Sequence, residues 1–505
     1  MATRTRKAVK NISYNIAYQL IMLVMGFVNR TIFLYFLNVE FLGVQAIFKD
    51  VLALLSMADL GLITAMTYSF YKPLAEGNQA YISGLVQFYR KICNGIALVI
   101  FLGGIVLIPF LPLLVHVETE MPLLTIYYLL TLLNTVVSYL VAYKTVVLVA
   151  DQRGYVTAQY GSVLNILQNL TLALFLWWTR NFLVYLLIQV AFTYLYNFLV
   201  SAHASRTYPY INDKQTLPKE EAKELFKNIK SVFVYKSSTV LLSATDNTLI
   251  SILVGTATVG FYSNYMLVVS KALSLITTAF TSMTSSLGNL VVQEGETRRY
   301  QVFEGLQSLC NILSILVVNL LLFLLQDFIV LWLGADFLLD QGVLAAILFN
   351  LFLSLILLPV WVYREATGLY QQIQYVMLLT AFVNLGLSIW LGQWLGLVGI
   401  LLATSVARLT TYFWYEPILL FRQYFNRSVA SYFRSLLQTT LVFGLLVLVS
   451  SLLSPLFGTV TPVRFILKAI CLGLVSLVVL ALIYAKSPGV ALITSRLRKK
   501  KEPVV

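Results

Sequence analysis

The sequence predicts an all-α polytopic membrane protein of about 14 transmembrane helices: two six-helix lobes related by a parallel repeat, plus two C-terminal helices. Three observations predict it. Of 505 residues, 59% are hydrophobic and only 11% charged, with a mean hydropathy of +0.84. A soluble domain is about 45–50% apolar and about 25% charged. The basic residues are sorted to alternate connections, and the chain resembles itself at one constant offset.

Scanning for runs long enough to cross a hydrocarbon core about 30 Å thick gives spans over 11–37, 43–70, 92–114, 123–149, 156–178, 181–203, 230–254, 260–292, 306–326, 342–363, 373–394, 396–420, 435–453 and 463–485. The first follows MATRTRKAVK, whose Arg4, Arg6, Lys7 and Lys10 hold the N-terminus in the cytosol. The apolar run after it is too long for a cleaved leader and lacks a small-residue cleavage site, so a retained helix is expected. Every second connection is then cytosolic and rich in Lys and Arg: Lys72, Arg90 and Lys91; Lys144 and Arg153; Arg206 to Lys230; Arg298 and Arg299; Arg364; Arg422, Arg427 and Arg434; and the tail from Lys486. The outer connections hold only Arg180. One missed or extra helix would scramble this asymmetry, so both termini are expected in the cytosol. Cys93, Cys310 and Cys471 fall at membrane depth or its cytosolic edge, and none sits in an outer loop where a disulfide would form.

The repeat aligns Lys10–Ile12 with Lys227–Ile229, Asn29–Ile32 with Asp246–Leu249, Leu42–Gln45 with Val259–Tyr262, and Cys93–Asn94 with Cys310–Asn311. An offset of six helices preserves orientation, as in parallel transporter repeats. The expected organisation is an N-terminal lobe over 1–206, a cytosolic linker over 207–230, a C-terminal lobe over 231–421, and appended helices with a basic tail over 422–505. The linker's LPKEEAKELFKNIK has Pro218 and two acids ahead of Leu225 and Phe226, the pattern of a short surface helix.

Seven basic residues remain inside the expected spans: Arg30, Lys49, Lys236, Lys271, Arg408, Arg464 and Lys468. The last two open the final helix, where long side chains snorkel to the outer surface. Counting along each helix puts Arg408 roughly 18 Å and Lys271 roughly 16 Å deep, with Arg30, Lys49 and Lys236 roughly 9–10 Å from an end. A buried cation costs about 2.5–3.5 kcal/mol on insertion scales unless something compensates it. Snorkelling serves for the shallow three. Pairing with Asp50, Asp59, Asp246 or Glu416 serves for the deep two. The alternative for all five is a hydrated cavity that receives an anion. Asn29, Asn247, Ser274 and Thr278 would supply its uncharged polar groups, and Asp59 and Asp246 are the carboxylates placed to exchange an ion. Helix 8, with its Ser and Thr run from Ser270 to Ser286, is either a small-residue packing face or a wetted wall.

The stretches YFLNVEFLGVQAIFKDVLALLSMADLGLITAMTYSFYKPLAEG, DNTLISILVGTATVGFYSNYMLVV and SSLGNLV resemble those of bacterial polysaccharide-repeat flippases, the Wzx-type branch of the multidrug/oligosaccharidyl-lipid/polysaccharide exporter superfamily. WVYREATGLYQQIQYV and GLVGILLATSVARLTTYFWYEP extend the likeness to helix 12. The resemblance implies an exporter of the bacterial cytoplasmic membrane that moves undecaprenyl-pyrophosphate-linked oligosaccharides from inner to outer leaflet by alternating access. It implies a cationic cavity in which Arg30, Lys49, Lys271, Arg364 and Arg408 are candidates. The partners it implies are the lipid-linked oligosaccharide, bilayer lipids, and a polysaccharide polymerase with its chain-length machinery. Flippases for peptidoglycan or teichoic acid precursors share the anionic-head logic, and a multidrug or cation exporter of the same superfamily is the further alternative.

Other classes fit less well. A polymerase or membrane glycosyltransferase needs a substantial outer loop with catalytic groups, and the longest one expected here runs only from about Asp327 to Gln341. His116 and His203 are the only histidines and show no metal-ligand spacing. With no P-loop and no cofactor motif, the expected energy source is an ion gradient, of protons or sodium, the membrane potential, or removal of product outside. The net charge of +14 is dispersed among apolar helices, so no nucleic-acid partner is expected.

Overall fold

The computed structural model describes residues 2–56, 62–117, 121–140, 142–151, 153–213, 215–218, 220–222, 237, 240–242, 244–281 and 283–490. Every regular element among them is helical. The chain divides into two compact units, Met1–Gly260 and Phe261–Val505.

The first unit contains α1 (Ala2–Phe36), α2 (Val39–Leu55), α3 (Leu62–Glu76), α4 (Gln79–Val106), α5 (Leu124–Tyr139), α6 (Ala142–Ala150), α7 (Gly154–Thr179), α8 (Phe182–Thr207) and α9 (Asp246–Leu253). Short polar residues start these helices where the apolar runs begin. Asn38 caps α2 by accepting from the Glu40 amide, and Asn181 caps α8 by accepting from the Leu183 amide at 2.8 Å. α1 packs along α7, α7 along α8, α8 along α5, and α9 against α2.

α10 (Thr256–Thr281) begins in the first unit and runs into the second. Its start meets α2 at a crossing that only glycine permits. A Cβ on Gly43 would collide with the Thr256 carbonyl oxygen, and one on Gly260 with the Val39 carbonyl oxygen. Gly43 and Gly260 are partners in the sequence repeat. Thr256 is also tied on both sides of its backbone and side chain: its amide donates to the His116 carbonyl at 3.1 Å, and its Oγ1 accepts from the His116 amide at 2.9 Å.

The second unit adds α11 (Thr284–Gln293), α12 (Glu296–Leu333), α13 (Gln341–Thr367), α14 (Tyr370–Thr410), α15 (Tyr412–Leu420), α16 (Ala430–Leu453) and α17 (Pro462–Tyr484). α13 is its hub, buried along 83% of its apolar window and packed by α11, α12 and α14. α16 and α17 lie on α12 around Ile315, Leu446 and Leu480, and there the Asn319 amide donates to Ser450 Oγ at 2.9 Å and Ser476 Oγ at 3.3 Å. Leu437, Leu441, Leu445, Leu448 and Leu452 repeat at helical spacing along α16 and are 51–76% exposed. A water-soluble helix buries such a stripe; one that leaves it bare faces lipid.

Among the described residues nine helices are long and apolar enough to cross a membrane, or ten when the bent pair Leu124–Tyr139 and Tyr143–Ala150 counts as one span. The chain is a multi-pass membrane protein. One of the nine, Gln372–Phe425, has 54 residues, roughly 80 Å of helix against a hydrocarbon core of about 30 Å. It is broken at Gly396 (φ 57°, ψ −134°), the boundary expected between the spans 373–394 and 396–420. Most of the expected span 230–254 before Asp246, and of the surface helix after Pro218, lies outside the described residues.

Two expectations around the connection between α12 and α13 are corrected. The connection expected from Asp327 begins only at Gly334, because α12 continues through Leu333 and ends on a glycine at φ 101°. Asp327 therefore sits inside a helix, and Lys468, expected to snorkel, is instead buried to 8% exposure with its Nζ 2.7 Å from Asp327 Oδ2. A carboxylate at the same depth removes the reason to reach for water.

Candidate functional site

In the first unit the polar residues of five helices gather. α1 supplies Asn29 and Arg30, α2 Gln45, Lys49 and Asp50, α7 Asn165 and Asn169, α8 Tyr185 and Gln189, and α9 Asp246 and Asn247. Asn29 Nδ2 donates to Asn169 Oδ1 at 2.9 Å and Asn29 Oδ1 accepts from the Tyr185 hydroxyl at 3.1 Å, so the residue beside Arg30 is fixed on both sides. Asn169 in turn donates to the Asn165 carbonyl at 2.7 Å, and Gln45 donates to Gln189 Oε1 at 3.2 Å. Interhelical bonds of this kind average about 0.6 kcal/mol and reach about 1.7 kcal/mol in a membrane protein. Their larger effect is to hold the cations still.

Arg30 is half-buried and Lys49 exposed, and the two are near enough to repel one another. Arg30 also senses Tyr185, and Lys49 senses Asp50. Asp50 Oδ2 accepts from Asn247 Nδ2 at 2.7 Å. Asn247 stands at the repeat position of Arg30, so one repeat offers a cation where the other offers an amide. Two like charges held together on hydrogen-bonded helices are costly alone, and an anion between them relieves the repulsion. Asp246 lies in the first turn of α9, where the helix dipole favours a carboxylate. Lys236 and Asp59 lie outside the described residues.

In the second unit Lys271, Ser274 and Thr278 occupy one face of α10 at helical spacing, all at least partly exposed. Arg408, in the last turn of α14, donates from Nη1 to Ser354 Oγ at 2.9 Å on α13, while its Nε is buried without a partner among the described residues. Arg364 lies differently. Its Nη1 is 2.9 Å from Glu416 Oε1 on α15, and the two residues are 6% and 0% exposed. The guanidinium that topology assigned to the cytosol and resemblance to the cavity is thus sealed inside the unit against a carboxylate.

The acids inside the helices are largely accounted for: Glu416 faces Arg364, Asp327 faces Lys468, and Asp50 holds Asn247. No ion pair of Lys49, Lys271 or Arg408 occurs among the described residues. Sequence reasoning missed Tyr185, Gln45, Gln189, Asn165 and Asn169. The Asn165–Asn169 pair, one turn apart in an apolar run, is the signal that marks them.

The fold is similar to that of several solved membrane transporters. The solved structure of lipid II flippase MurJ, in an inward closed conformation, superposes with a TM-score of 0.67 at 16% identity, over 94% of this chain and 99% of that one. An inward-facing multidrug resistance MATE family transporter of the MOP superfamily gives 0.58 at 13% identity, over 79% and 96%, and the MATE multidrug transporter DinF-BH 0.57 at 16%, over 83% and 97%. No protein-family model and no curated protein sequence matches the chain.

Proposed function

We propose that the protein is a flippase carrying a lipid-linked oligosaccharide with a pyrophosphate head across the bacterial cytoplasmic membrane by alternating access. The observation that carries this reading is the set of cations inside the helices without an ion pair: Lys49, Lys271 and Arg408 have no carboxylate in ion-pair contact among the described residues, while Asp327 and Glu416 are paired with Lys468 and Arg364 and Asp50 accepts from the Asn247 amide. A pyrophosphate diester loses its hydration on entering a low-dielectric layer, and fixed cations with hydroxyl and amide neighbours replace it. An exporter of cationic drugs calls for the opposite balance. The candidate phosphate contacts in this reading are Arg30 and Lys49 in the first unit, with Asn29 and Asn247 as polar neighbours, and Lys271 and Arg408 in the second, with Ser274 and Thr278 as polar residues of that unit. A proton or sodium gradient drives the cycle, with Asp246 as the coupling carboxylate.

The test is reconstitution. Liposomes containing the purified chain should move a fluorescent undecaprenyl-pyrophosphate oligosaccharide to the leaflet accessible to a membrane-impermeant quencher at least about tenfold faster than protein-free liposomes, a gain of about 1.4 kcal/mol in barrier. Vesicles given a cationic dye should show no uptake. Movement of lipid II alone would assign the protein to peptidoglycan precursors, and uptake of the dye alone would make it a drug exporter.

A further inference from the structure

A cavity lies within the second unit, and none of the cations assigned to transport lines it. It occupies about 690 Å³ where the N-terminal ends of α12 and α16 meet the C-terminal end of α17. Arg434 and Lys486 line it, opposed by the single acid Glu304, and Ser308 and Ser435 contribute hydroxyls. We propose that this cavity binds the phosphodiester headgroup of an anionic bilayer phospholipid.

Four observations point to that ligand. The lining carries two cations and one carboxylate, a net single positive charge that complements a singly charged phosphodiester better than the higher charge of a pyrophosphate. Ser308 is 7% exposed, and its Oγ is buried without a hydrogen-bond partner among the described residues. A buried hydroxyl is ordinarily satisfied, so one without a partner in a residue that lines a cavity marks a place for an acceptor. Ser435 Oγ accepts from Asn311 Nδ2 at 3.1 Å, which leaves its own proton to donate. The wall is also continuous with the lipid-facing stripe of α16: Leu441 lines the cavity and is 65% exposed. A headgroup can therefore enter while its chains remain in the bilayer.

The site is built rather than left over. A Cβ on Gly489 would stand 2.9 Å from Ser308 Oγ and 3.0 Å from the Gly305 carbonyl oxygen, so the absent side chain lets the turn after α17 close on α12. That closure sets Lys486 at the rim. On the opposite side the Tyr300 hydroxyl shares a 3.1 Å hydrogen bond with Ser431 Oγ, and the Arg427 guanidinium, which is not part of the lining, lies 4.5 Å over the Tyr300 ring and holds it in place. Basic residues at a helix end beside the membrane surface are the usual partners of anionic lipids.

The experiment is a titration of delipidated, detergent-solubilised full-length protein with phosphatidylglycerol or phosphatidylcholine of the same chains, read by native mass spectrometry. Phosphatidylglycerol is expected to bind about tenfold more tightly. The preference should vanish in Arg434→Gln combined with Lys486→Gln, and grow in Glu304→Gln, which adds to the net positive charge and guards against a double variant that fails to fold. Equal binding of the two lipids, or an unchanged preference in both variants, overturns the proposal. Millimolar inorganic phosphate should not compete; if it does, the site is one for free phosphate. One-for-one displacement of phosphatidylglycerol by undecaprenyl pyrophosphate at lower concentration would assign the site to the carried lipid instead, and would overturn the phospholipid reading while leaving the transport reading intact.

Discussion

Arg364→Ala is expected to remove about 3–5 kcal/mol of stability, because it leaves the Glu416 carboxylate buried and unpaired. Glu416 is 0% exposed and its Oε1 rests 2.9 Å from Arg364 Nη1, so neither water nor lipid headgroups can stand in for the guanidinium. The pair joins the last turn of α13, the hub of the second unit, to α15. Thermal unfolding in detergent should show a large drop in midpoint. Adding Glu416→Gln should restore part of it, since a neutral amide costs less to bury than a lone charge. A single variant that melts like the parent would show that the site relaxes to admit water.

Arg408→Ala and Lys271→Ala should do the reverse, sparing stability and slowing transport. Arg408 holds only Ser354 among the described residues, and a surface or cavity cation without a carboxylate contributes little to the fold. A charge-assisted contact to phosphate is worth about 1.5–3 kcal/mol, so transport should fall roughly ten- to a hundredfold in each variant. Arg408→Lys should recover part of the rate, since the point charge remains while the planar fork is lost. Unchanged transport in both Ala variants would remove these residues from the path and leave Arg408 as a cap for the helix dipole. Arg364 and Arg408, on neighbouring helices, are thus expected to respond oppositely, the first in stability and the second in transport.

That contrast also marks what the sequence could and could not show. The nine or ten spans among the described residues were legible because a span needs an unbroken apolar run, and the long helix α14 breaks at Gly396, the expected boundary, where the residue that tolerates φ 57° stands between two apolar blocks. The partners of Lys468 and Arg364 were hidden for one shared reason: depth along a helix can be counted from sequence, but the carboxylate that meets a cation comes from another helix. Asp327 is distant from Lys468 in the chain, and nothing in the local pattern links them. The amide network around Asn29 was hidden for a further reason. Asn169, Gln45 and Tyr185 are uncharged and lower hydropathy only slightly, so they do not interrupt a span as Arg30 does. Gly43 stands mid-helix, and its purpose shows only where the crossing brings its repeat partner's helix against it.

The crossing at Gly43 and Gly260 has the self-complementarity of an isologous dimer contact, in which residue i of one copy meets j of the other and j meets i. Val39 and Thr256 are equivalent under the repeat, as are the two glycines, so each glycine faces the carbonyl of the other's counterpart. One surface therefore meets its own duplicate within a single polypeptide. Two substitutions at such a seam act on one separation rather than on two contacts. The first added methyl pushes the backbones apart and meets most of the cost, and the second enters a gap already opened. Gly43→Ala and Gly260→Ala should each destabilise by about 1–3 kcal/mol, and the double variant by clearly less than their sum, with a coupling of about 0.5–3 kcal/mol in a double-mutant cycle. Strict additivity would mean that the two contacts yield independently, and that the likeness of the two sides is one of shape without mechanical connection.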